Sequence, residues 1–376
     1  MFDILLSVAI AFTITFLAIP VIIFVAEGKK LYDVPDARKI HNAPIPSLGG
    51  LGIFAGFILS CLVIISMASA SEFQYFFAAA FVIFFLGLKD DILDISPIKK
   101  FIGQVLAAFL IIYKGGVQIQ SMHGFLGMQE LPPMFSLLFS YLTVIVIINS
   151  FNLIDGIDGL AGSLGLMACL AFGVYFSAAG MQPYAILSFA LAGSLAAFLI
   201  FNFQPAKIFM GDTGSLLLGL LHSILVIKFI TVASTPGVAV PISAAPAIGF
   251  SVLLIPLLDT VRVFSIRISH RRSPFSPDRN HIHHLLLDRG LSHRTITLVL
   301  VAANLLFMLL TYSLRSLGCT WLILGLFVLF FTGIGLLYYT RRQPRLFVAK
   351  ATNGKGAEIP ASKIVPLTKD AVLEQK

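Results

Sequence analysis

Charged residues are scarce in this sequence. Asp, Glu, Lys and Arg make up 12% of the 376 residues, whereas 58% are hydrophobic and the mean hydropathy is +0.95. A chain of this length and average composition would form two or three soluble domains, but the low charge and high hydropathy exclude that interpretation. The sequence therefore predicts an all-α polytopic membrane protein.

Cysteines are also few, and an internal repeat is lacking. Cys61, Cys169 and Cys319 lie in or beside apolar segments, and their odd count and spacing argue against a disulfide framework and a zinc site. We find no convincing internal repeat, and inverted repeats would have favoured a transporter. The first apolar segment lacks a basic n-region, so we expect it to stay as a transmembrane helix.

Eleven apolar segments have the length that a helix needs to cross the hydrocarbon core. They lie near residues 3–26, 47–68, 72–88, 98–113, 134–151, 158–179, 184–201, 214–232, 241–265, 297–313 and 320–340. The fourth segment is the shortest and needs a tilt to reach across the membrane. The sequence predicts about eleven transmembrane helices.

Lysine and arginine residues divide unevenly between alternate loops, and positive charge accumulates on the cytoplasmic side. One side holds most of them, including the loops 27–46 and 266–296, and the other side holds only Lys114 and Arg315. This distribution predicts an external N-terminus and a cytoplasmic C-terminus. We expect a membrane domain over residues 1–340, followed by a basic, disordered cytoplasmic tail over 341–376. The membrane domain would carry its functional residues in five cytoplasmic loops: 27–46, 89–100, 149–158, 202–213 and 266–296.

Carboxylates concentrate at the ends of apolar segments. Asp90 and Asp91 follow the third segment, and Asp212 precedes the eighth. Clustered acids repel one another unless a cation lies between them, and acids at membrane depth are costly. A solvated helix end balanced by Lys89 would also explain Asp90 and Asp91, but the recurrence of acids predicts a divalent metal at the membrane surface.

A second cluster lies between the fifth and sixth segments. Asn149, Asn152, Asp155 and Asp158 recur at a spacing of three, which would keep them on roughly one side of a helical backbone. The spacing does not match an EF-hand calcium loop. Four oxygen-bearing side chains without a nearby Lys or Arg favour a bound cation.

Two more polar stretches could bind a phosphorylated ligand. Asp212 to Ser215 has the composition of a helix N-terminus, which binds an anion or is capped by the carboxylate itself. Phe209 is either an interfacial aromatic or a ring that stacks on a base. The 266–296 loop combines arginines with His281 and His284, which favour phosphate binding, although these histidines could instead form half of a metal site.

These stretches together resemble the polyprenyl-phosphate N-acetylhexosamine-1-phosphate transferases, the superfamily of the MraY and WecA enzymes. The resemblance covers residues 33–293 and rests on Pro46 to Gly50, Lys89-Asp90-Asp91, Asn152 to Asp158, Phe209 to Asp212 and Ser276 to His284, in the expected order. The last motif is similar to the WecA-type branch, which uses UDP-GlcNAc. The resemblance implies a multi-pass enzyme of the bacterial cytoplasmic (inner) membrane with its active site facing the cytoplasm.

The reaction implied by the resemblance is transfer of N-acetylglucosamine 1-phosphate from UDP-GlcNAc to undecaprenyl phosphate, with release of UMP and dependence on Mg²⁺ or Mn²⁺. The implied metal ligands are Asp212, Asp90 and Asp91. The implied catalytic residues are Asp90, Asp91, Asp155 and Asp158. Nucleotide and sugar contacts are implied for Asn152, Asn202, Phe209, Arg279, His281, His283 and His284. Candidate contacts to the lipid phosphate are Arg38, Lys39 and His41.

Three alternatives remain open at this point. The donor could be another UDP-N-acetylated sugar, such as UDP-FucNAc or UDP-QuiNAc, because sugars that differ at one ring position can be distinguished by a single side chain. A cation-coupled transporter would also place acids in a helical bundle, but near the midplane of the membrane. A non-enzymatic lipid-binding protein is the third alternative. We expect no nucleic-acid partner, and the resemblance allows a homodimer.

Overall fold

The computed structural model describes residues 1–31, 45–235, 237–271, 273 and 280–340, and within these residues the chain is helical and has no β-strand. The α-helices in chain order are α1 Phe2–Lys29, α2 Gly49–Ile64, α3 Phe73–Leu93, α4 Pro97–Phe109, α5 Pro133–Ile154, α6 Leu160–Ala178, α7 Gln182–Asn202, α8 Gly211–Ala233, α9 Ala245–Val252, α10 Leu254–Ser269, α11 Ile282–Leu287, α12 His293–Ser313 and α13 Cys319–Tyr339.

Every one of the eleven predicted segments contains a helix. By length and composition, seven helices are able to cross a membrane, namely α1, α5, α6, α7, α8, α12 and α13, and the bent pair α9 and α10 makes an eighth if it is one span. The all-α polytopic fold is therefore confirmed. The count of eleven spans and the orientation of the chain stay predictions, as does the division at residue 340, since the tail lies outside the described residues.

The fourth predicted segment is helical over its whole length. Helix α4 continues without a break into a π-helical turn, Leu110–Lys114, so that the two together cover more than the predicted residues 98–113. A π-turn inserts an extra residue into the helical hydrogen-bond pattern and often occurs beside a functional region. Pro97 begins the helix, in the position where a missing backbone N–H costs least.

The predicted span over 241–265 is not one continuous helix. Helices α9 and α10 meet at Leu253, and their axes are bent by 79°. Pro256 has no backbone N–H to donate to the carbonyl of Val252, so the hydrogen-bond ladder fails there. The amide of Asn304, which is fully buried on α12, replaces the lost bonds. It donates to Ser251 O at 3.2 Å and Val252 O at 3.0 Å, and it accepts from Ile255 N at 3.0 Å.

Helix α8 forms the centre of the bundle and positions the site. It packs against α2, α3, α5, α6 and α9 and is buried along nearly its whole length. A helix that is apolar on all sides satisfies its surface only by such burial. Its N-terminus lies beside the C-terminal ends of α3 and α5, and this arrangement brings Asp212 next to the acids of two other helices.

Candidate active site

The side chain of Asp91 binds the N-terminus of α8. Its Oδ1 accepts a hydrogen bond from Asp212 N at 2.7 Å, and its Oδ2 accepts from Thr213 N at 3.0 Å and from Thr213 Oγ1 at 2.5 Å. Free N–H groups at a helix N-terminus favour an anionic acceptor. Asp91 therefore joins the end of α3 to the start of α8 and fixes where Asp212 lies.

Lys100 lies between Asp90 and Asp212. Its ammonium forms an ion pair with Oδ2 of each carboxylate, and Oδ1 of Asp90 also accepts from Ile95 N at 2.8 Å. Asp90 is buried, with 9% of its surface exposed. Two carboxylates from different helices thus share one cation, which offsets the repulsion between them. Within the chain itself, the ammonium of Lys100 is the cation that these two carboxylates share. The divalent metal predicted from the sequence stays a prediction.

Asn152 links α5 to the same carboxylate. Its Nδ2 donates to Asp212 Oδ1 at 2.7 Å and to Ser215 Oγ at 3.0 Å. One turn earlier on α5, Asn149 faces α4 and exchanges hydrogen bonds with Gln104, with Nδ2 to Oε1 at 2.9 Å. Residues from α3, α4, α5 and α8 therefore converge at one end of the bundle.

The second cluster does not share one face, contrary to the prediction from its spacing. Helix α5 ends at Ile154, and Asp155 has non-helical angles (φ −75°, ψ 53°). Asn149 and Asn152 are on the helix, whereas Asp155 and Asp158 lie in the turn before α6. The break leaves only Asn149 and Asn152 on a common helix, because a period of three holds residues on one side only while the helix continues.

Asp155, in the turn between α5 and α6, has a strongly raised pKa. Desolvation is the largest cause of this shift, and the negative charges of Asp212, Asp91 and Asp158 are the next. Together they raise the pKa of Asp155 to about 8. A carboxyl with this pKa is mostly protonated at neutral pH. Asp155 is thus a group whose charge depends on what binds near Asp212.

Asp158 contacts α12. It is 2% exposed, its Oδ1 pairs with His293 Nδ1 at 3.3 Å, and its backbone carbonyl accepts from Thr297 Oγ1 at 3.0 Å. Next to it, the buried side chain of Asn202 accepts from Gly159 N at 2.9 Å. Asp158 and Asn202 therefore hold the turn in place and connect it with α7 and α12.

The segment before α2 pairs with the segment before α8 through main-chain hydrogen bonds. Phe209 N donates to Pro46 O at 2.8 Å, Gly49 N donates to Phe209 O at 2.9 Å, and Gly50 N donates to Met210 O at 2.8 Å. Gly211 has φ +71°, and a Cβ there would lie 2.1 Å from Ser47 O, so only glycine fits. This main-chain frame, residues 46–50 with 209–211, holds Phe209, which is partly exposed.

The histidine segment, residues 280–284, connects α10 with the turn that carries Asp155. The start of the segment is bound to α10: His281 Nδ1 lies 2.8 Å from Asp259 Oδ2, and Ile282 N donates to Asp259 Oδ1 at 3.0 Å. Its middle part meets the turn, because a Cβ on Gly156 would lie 2.4 Å from Nε2 of His283.

His283 is held neutral by its surroundings. Burial is the first cause that lowers its pKa, to about 3, and the neighbouring rings of His284 and His281 act in the same direction. His284 is partly exposed beside it. A neutral imidazole offers one donor and one acceptor, which suits hydroxyl and amide groups of a sugar better than a bare phosphate.

Four of the predicted site residues, Arg38, Lys39, His41 and Arg279, lie outside the described residues. The structure brings together Asp90, Asp91, Asn152 and Asp212, and it joins Asp155, Asp158, Asn202, His281, His283 and His284 to this group through the α5–α6 turn and the histidine segment. Their individual roles stay predictions.

Three site residues were not predicted from the sequence. Lys100 counted only toward topology, although its position ten residues after Asp90 is compatible with a helical hairpin that returns it to the acids. Asp259 is a single acid in a predicted span, and the rule that such an acid marks function would have found it. His293, the partner of Asp158, had no sequence signal, because its pairing depends on how α12 packs.

The donor groups around Asp212 fit a magnesium ion that keeps other ligands. Within the described part of the chain, no three His, Cys, Asp or Glu side chains form a ready-made metal cluster. Mg²⁺ usually takes one or two protein carboxylates and completes its octahedron with water and substrate phosphates. Asp90 and Asp212, which already share a cation, provide that number. Both oxygens of Asp91 are bound by α8, so this carboxylate acts here by holding Asp212.

Comparison with known proteins gives one consistent answer. The profile of glycosyl transferase family 4 matches residues 73–230. The undecaprenyl-phosphate alpha-N-acetylglucosaminyl 1-phosphate transferase of Yersinia pestis is 32% identical over 80% of this chain and 82% of its own. A probable undecaprenyl-phosphate N-acetylglucosaminyl 1-phosphate transferase of Bacillus subtilis is 32% identical over 87% and 89%. The decaprenyl-phosphate N-acetylglucosaminephosphotransferase of Mycobacterium leprae is 32% identical over 76% and 77%.

Proposed function

The chain belongs to glycosyl transferase family 4, and we propose that it transfers N-acetylglucosamine 1-phosphate from UDP-GlcNAc to undecaprenyl phosphate and releases UMP. The observation that carries this proposal is the convergence of Asp90, Asn152 and Asp212 from three helices at one end of the bundle, in a chain that covers most of its named relatives. A transporter is less favoured, because these acids lie at helix ends.

The reaction forms one phosphorus–oxygen bond and breaks another. An oxygen of the lipid phosphate attacks the β-phosphorus of the donor, and the bond from that phosphorus to the bridging oxygen breaks, so that UMP leaves with the bond electrons. A phosphate monoester has a second pKa near 6 and is mostly dianionic at neutral pH. No base is therefore needed to ionise the nucleophile, and Asp90 acts through position and charge.

The pocket residues bind, orient and compensate charge. Mg²⁺, or Mn²⁺ in its place, would be held by Asp212 and Asp90, and when bound it supplies positive charge to the diphosphate. Asn152 orients the Asp212 carboxylate, and Asp91 fixes the helix that carries it. The side chain of Phe209 is partly exposed and would stack on the uracil base, and the histidine segment would meet the diphosphate and the sugar. Lys100 provides a further cation for phosphate oxygens.

The same proposal places the enzyme in the bacterial cytoplasmic membrane, with the acid end of the bundle in the cytoplasm, where UDP-sugars are made. The basic loops on that side support this orientation, because positive residues are retained in the cytoplasm. We propose that the product begins a lipid-linked glycan of the cell envelope.

The test is UMP release by the purified, detergent-solubilised protein with undecaprenyl phosphate, UDP-GlcNAc and Mg²⁺. We expect release that depends on the lipid, stops with EDTA and falls by roughly 10²-fold or more in Asp212→Asn, as expected for loss of a charge-stabilising group. Lys207→Met, an exposed change near the pocket, is the control. Turnover only with UDP-FucNAc or UDP-QuiNAc would change the donor, and no turnover with any donor would contradict the proposal.

A further inference from the structure

We propose that Asp259, together with Arg262, is a positioning residue that holds the histidine segment in the geometry needed to bind the UDP-sugar donor. This inference rests on the proposed function and adds a residue to it. Asp259 lies on α10 and is 1% exposed. It is separate from the acids predicted from the sequence, which are Asp90, Asp91, Asp155, Asp158 and Asp212. A buried acid in a membrane helix is expensive and marks a functional position.

One carboxylate fixes both the backbone and the ring of the segment. Oδ1 of Asp259 accepts from Ile282 N at 3.0 Å and pairs with Arg262 Nη2 at 2.7 Å, while Oδ2 lies 2.8 Å from His281 Nδ1. Because a carboxylate paired with a guanidinium only accepts hydrogen bonds, Nδ1 of His281 must carry the proton. Asp259 therefore determines the tautomer of His281 as well as its place.

The other face of the His281 ring agrees with this tautomer. Its Nε2 lies 3.5 Å from Nη2 of Arg267, a buried guanidinium that can only donate. Nε2 faces this guanidinium, so the ring is oriented by two buried charged groups of α10. The tautomer of a histidine is commonly set in this way by the partner of its second nitrogen.

Arg262 holds the residue that precedes His281. Its Nη2 donates to the carbonyl oxygen of Asn280, and its Nη1 donates to the hydroxyl of Tyr338 on α13 at 3.3 Å. The guanidinium therefore ties the start of the histidine segment to α10 and α13 together. With Asp259, it fixes three successive residues, from Asn280 to Ile282.

The position of these residues decides the position of His283. The ring of His283, two residues after His281, packs against Gly156 in the turn between Asp155 and Asp158. A shift of the segment would move His283 and His284 relative to that turn and to the donor that the proposed function places there. Replacement of a buried ion pair by apolar groups is often neutral for stability, so a stabilising role alone does not explain why charges occupy this position.

The experiment compares Asp259→Asn, His281→Asn, the double variant and a matched control, Thr260→Val, at the adjacent buried position. We expect Asp259→Asn to raise KM for UDP-GlcNAc by about tenfold or more and to leave KM for undecaprenyl phosphate within about twofold. Because UMP lacks the β-phosphate and sugar, its Kd should stay within about twofold while that of UDP-GlcNAc rises. The double variant should be no worse than the worse single variant, since Asp259 acts through His281.

The inference is overturned if KM for both substrates rises equally, if UMP affinity falls with that of UDP-GlcNAc, if the two substitutions are additive, or if Thr260→Val has the same effect. Should Asp259→Asn fail to purify as a folded protein, Asp259→Asn with Arg262→Gln removes both charges and carries the same expectations. A wild-type protein that never releases UMP contradicts the proposed function instead, and the comparison of UMP with UDP-GlcNAc binding still decides the role of Asp259.

Discussion

Lys100 occupies the place where two carboxylates require a cation. Its ammonium pairs with both Asp90 and Asp212, so a metal ion that uses these oxygens has to displace it. The freed ammonium would then lie close to any phosphate that the metal binds. Under the proposed function, one lysine would thus have two opposite effects: it would compete with the metal before the donor binds and support the phosphates afterwards.

Replacement of Lys100 by Met separates these effects. We expect Lys100→Met to bind Mn²⁺ several-fold more tightly in the absence of donor, because the competing charge is gone. Its kcat should fall by roughly 10²-fold, because a cation near the phosphates is lost. Mn²⁺ titration followed by electron paramagnetic resonance and UMP release measure the two quantities. Lys99→Met, at an exposed neighbouring position, should change neither, and weaker Mn²⁺ binding in Lys100→Met would refute the competition.

Asp155 makes the stability of the protein depend on pH. Its pKa in the folded protein, about 8, lies above the ordinary value of 3.8, so between these values the folded state holds a proton that the unfolded chain has lost. Stability should therefore fall as pH rises from about 4 to about 8. Without divalent ions, the detergent-solubilised protein should have a lower Tm at about pH 8.5 than at about pH 6.

Asp155→Asn removes the titrating group and should flatten this pH dependence. Asp94→Asn, an exposed acid near the end of α3, is the matched control and should leave it unchanged. An equal fall of Tm with pH in wild type and Asp155→Asn would show that other groups cause it.

The acids of the site could be identified from the sequence because acids are rare in an apolar chain. Their proximity was expected because a cation bound between them would offset their mutual repulsion. It did not identify which side chain provides that cation. The pairing of Lys100 with Asp212, 112 residues apart, exists only because α4 returns antiparallel to α3 beside the start of α8. A positive residue in a loop is also explained by the orientation of the chain in the membrane, so its role in the site is not evident from the sequence.

At the scale of elements, the break between α9 and α10 positions the residues that hold the histidine segment. It turns α10 by 79°, so that Asp259 and Arg262 face the histidine segment. Asn304 stabilises this break, because its amide forms hydrogen bonds with the carbonyls and the N–H that the bend leaves without helical partners. The sequence predicted the apolar length of this region but not its bend, since Pro256 is compatible with either a kinked or a broken helix.

Asn304→Leu should destabilise the bend. We expect the free energy of unfolding to fall by about 2–3 kcal/mol, because buried backbone groups lose their partners. Donor KM should rise as α10 shifts. The matched control is Thr311→Val on the same helix, where the buried hydroxyl bonds only to Phe307 O of its own turn. Thermal unfolding in detergent with UMP-release kinetics provides the measurement, and equal effects of the two substitutions would disprove a special role for Asn304.

On the scale of the whole molecule, all described site residues lie at one end of the bundle. Helix α4 with its π-turn leads away from that end, and α5 returns to it, so residues 115–131 lie at the opposite end. Hydropathy predicted the helices and the basic loops predicted which ends share a side, since both depend on composition along the chain. Hydropathy and charge do not predict which helices pack around α8. Most of the helices are apolar, so their packing partners depend on the shapes of their surfaces.

Labelling of single cysteines tests the predicted orientation. In a background without Cys61, Cys169 and Cys319, we expect a membrane-impermeant maleimide on intact spheroplasts to modify Gln129→Cys but not Ser96→Cys. Both positions are exposed and lie at opposite ends of the bundle. Permeabilised membranes should show both labels, which controls for reactivity. Labelling of Ser96→Cys alone in intact spheroplasts would reverse the assignment of the cytoplasmic face.

The main-chain frame formed by residues 46–50 and 209–211 has a consequence for how such an enzyme diverges. Its hydrogen bonds involve backbone atoms, but a side chain does not fit at Gly49, Gly50 or Gly211, and Leu48 and Met210 are buried. Ser47 and Phe209, which are partly exposed, are therefore the positions suited to a randomised library. Under the proposed function, selection from it would alter which nucleoside is accepted, while the phosphate chemistry, set by residues on other helices, would be inherited intact.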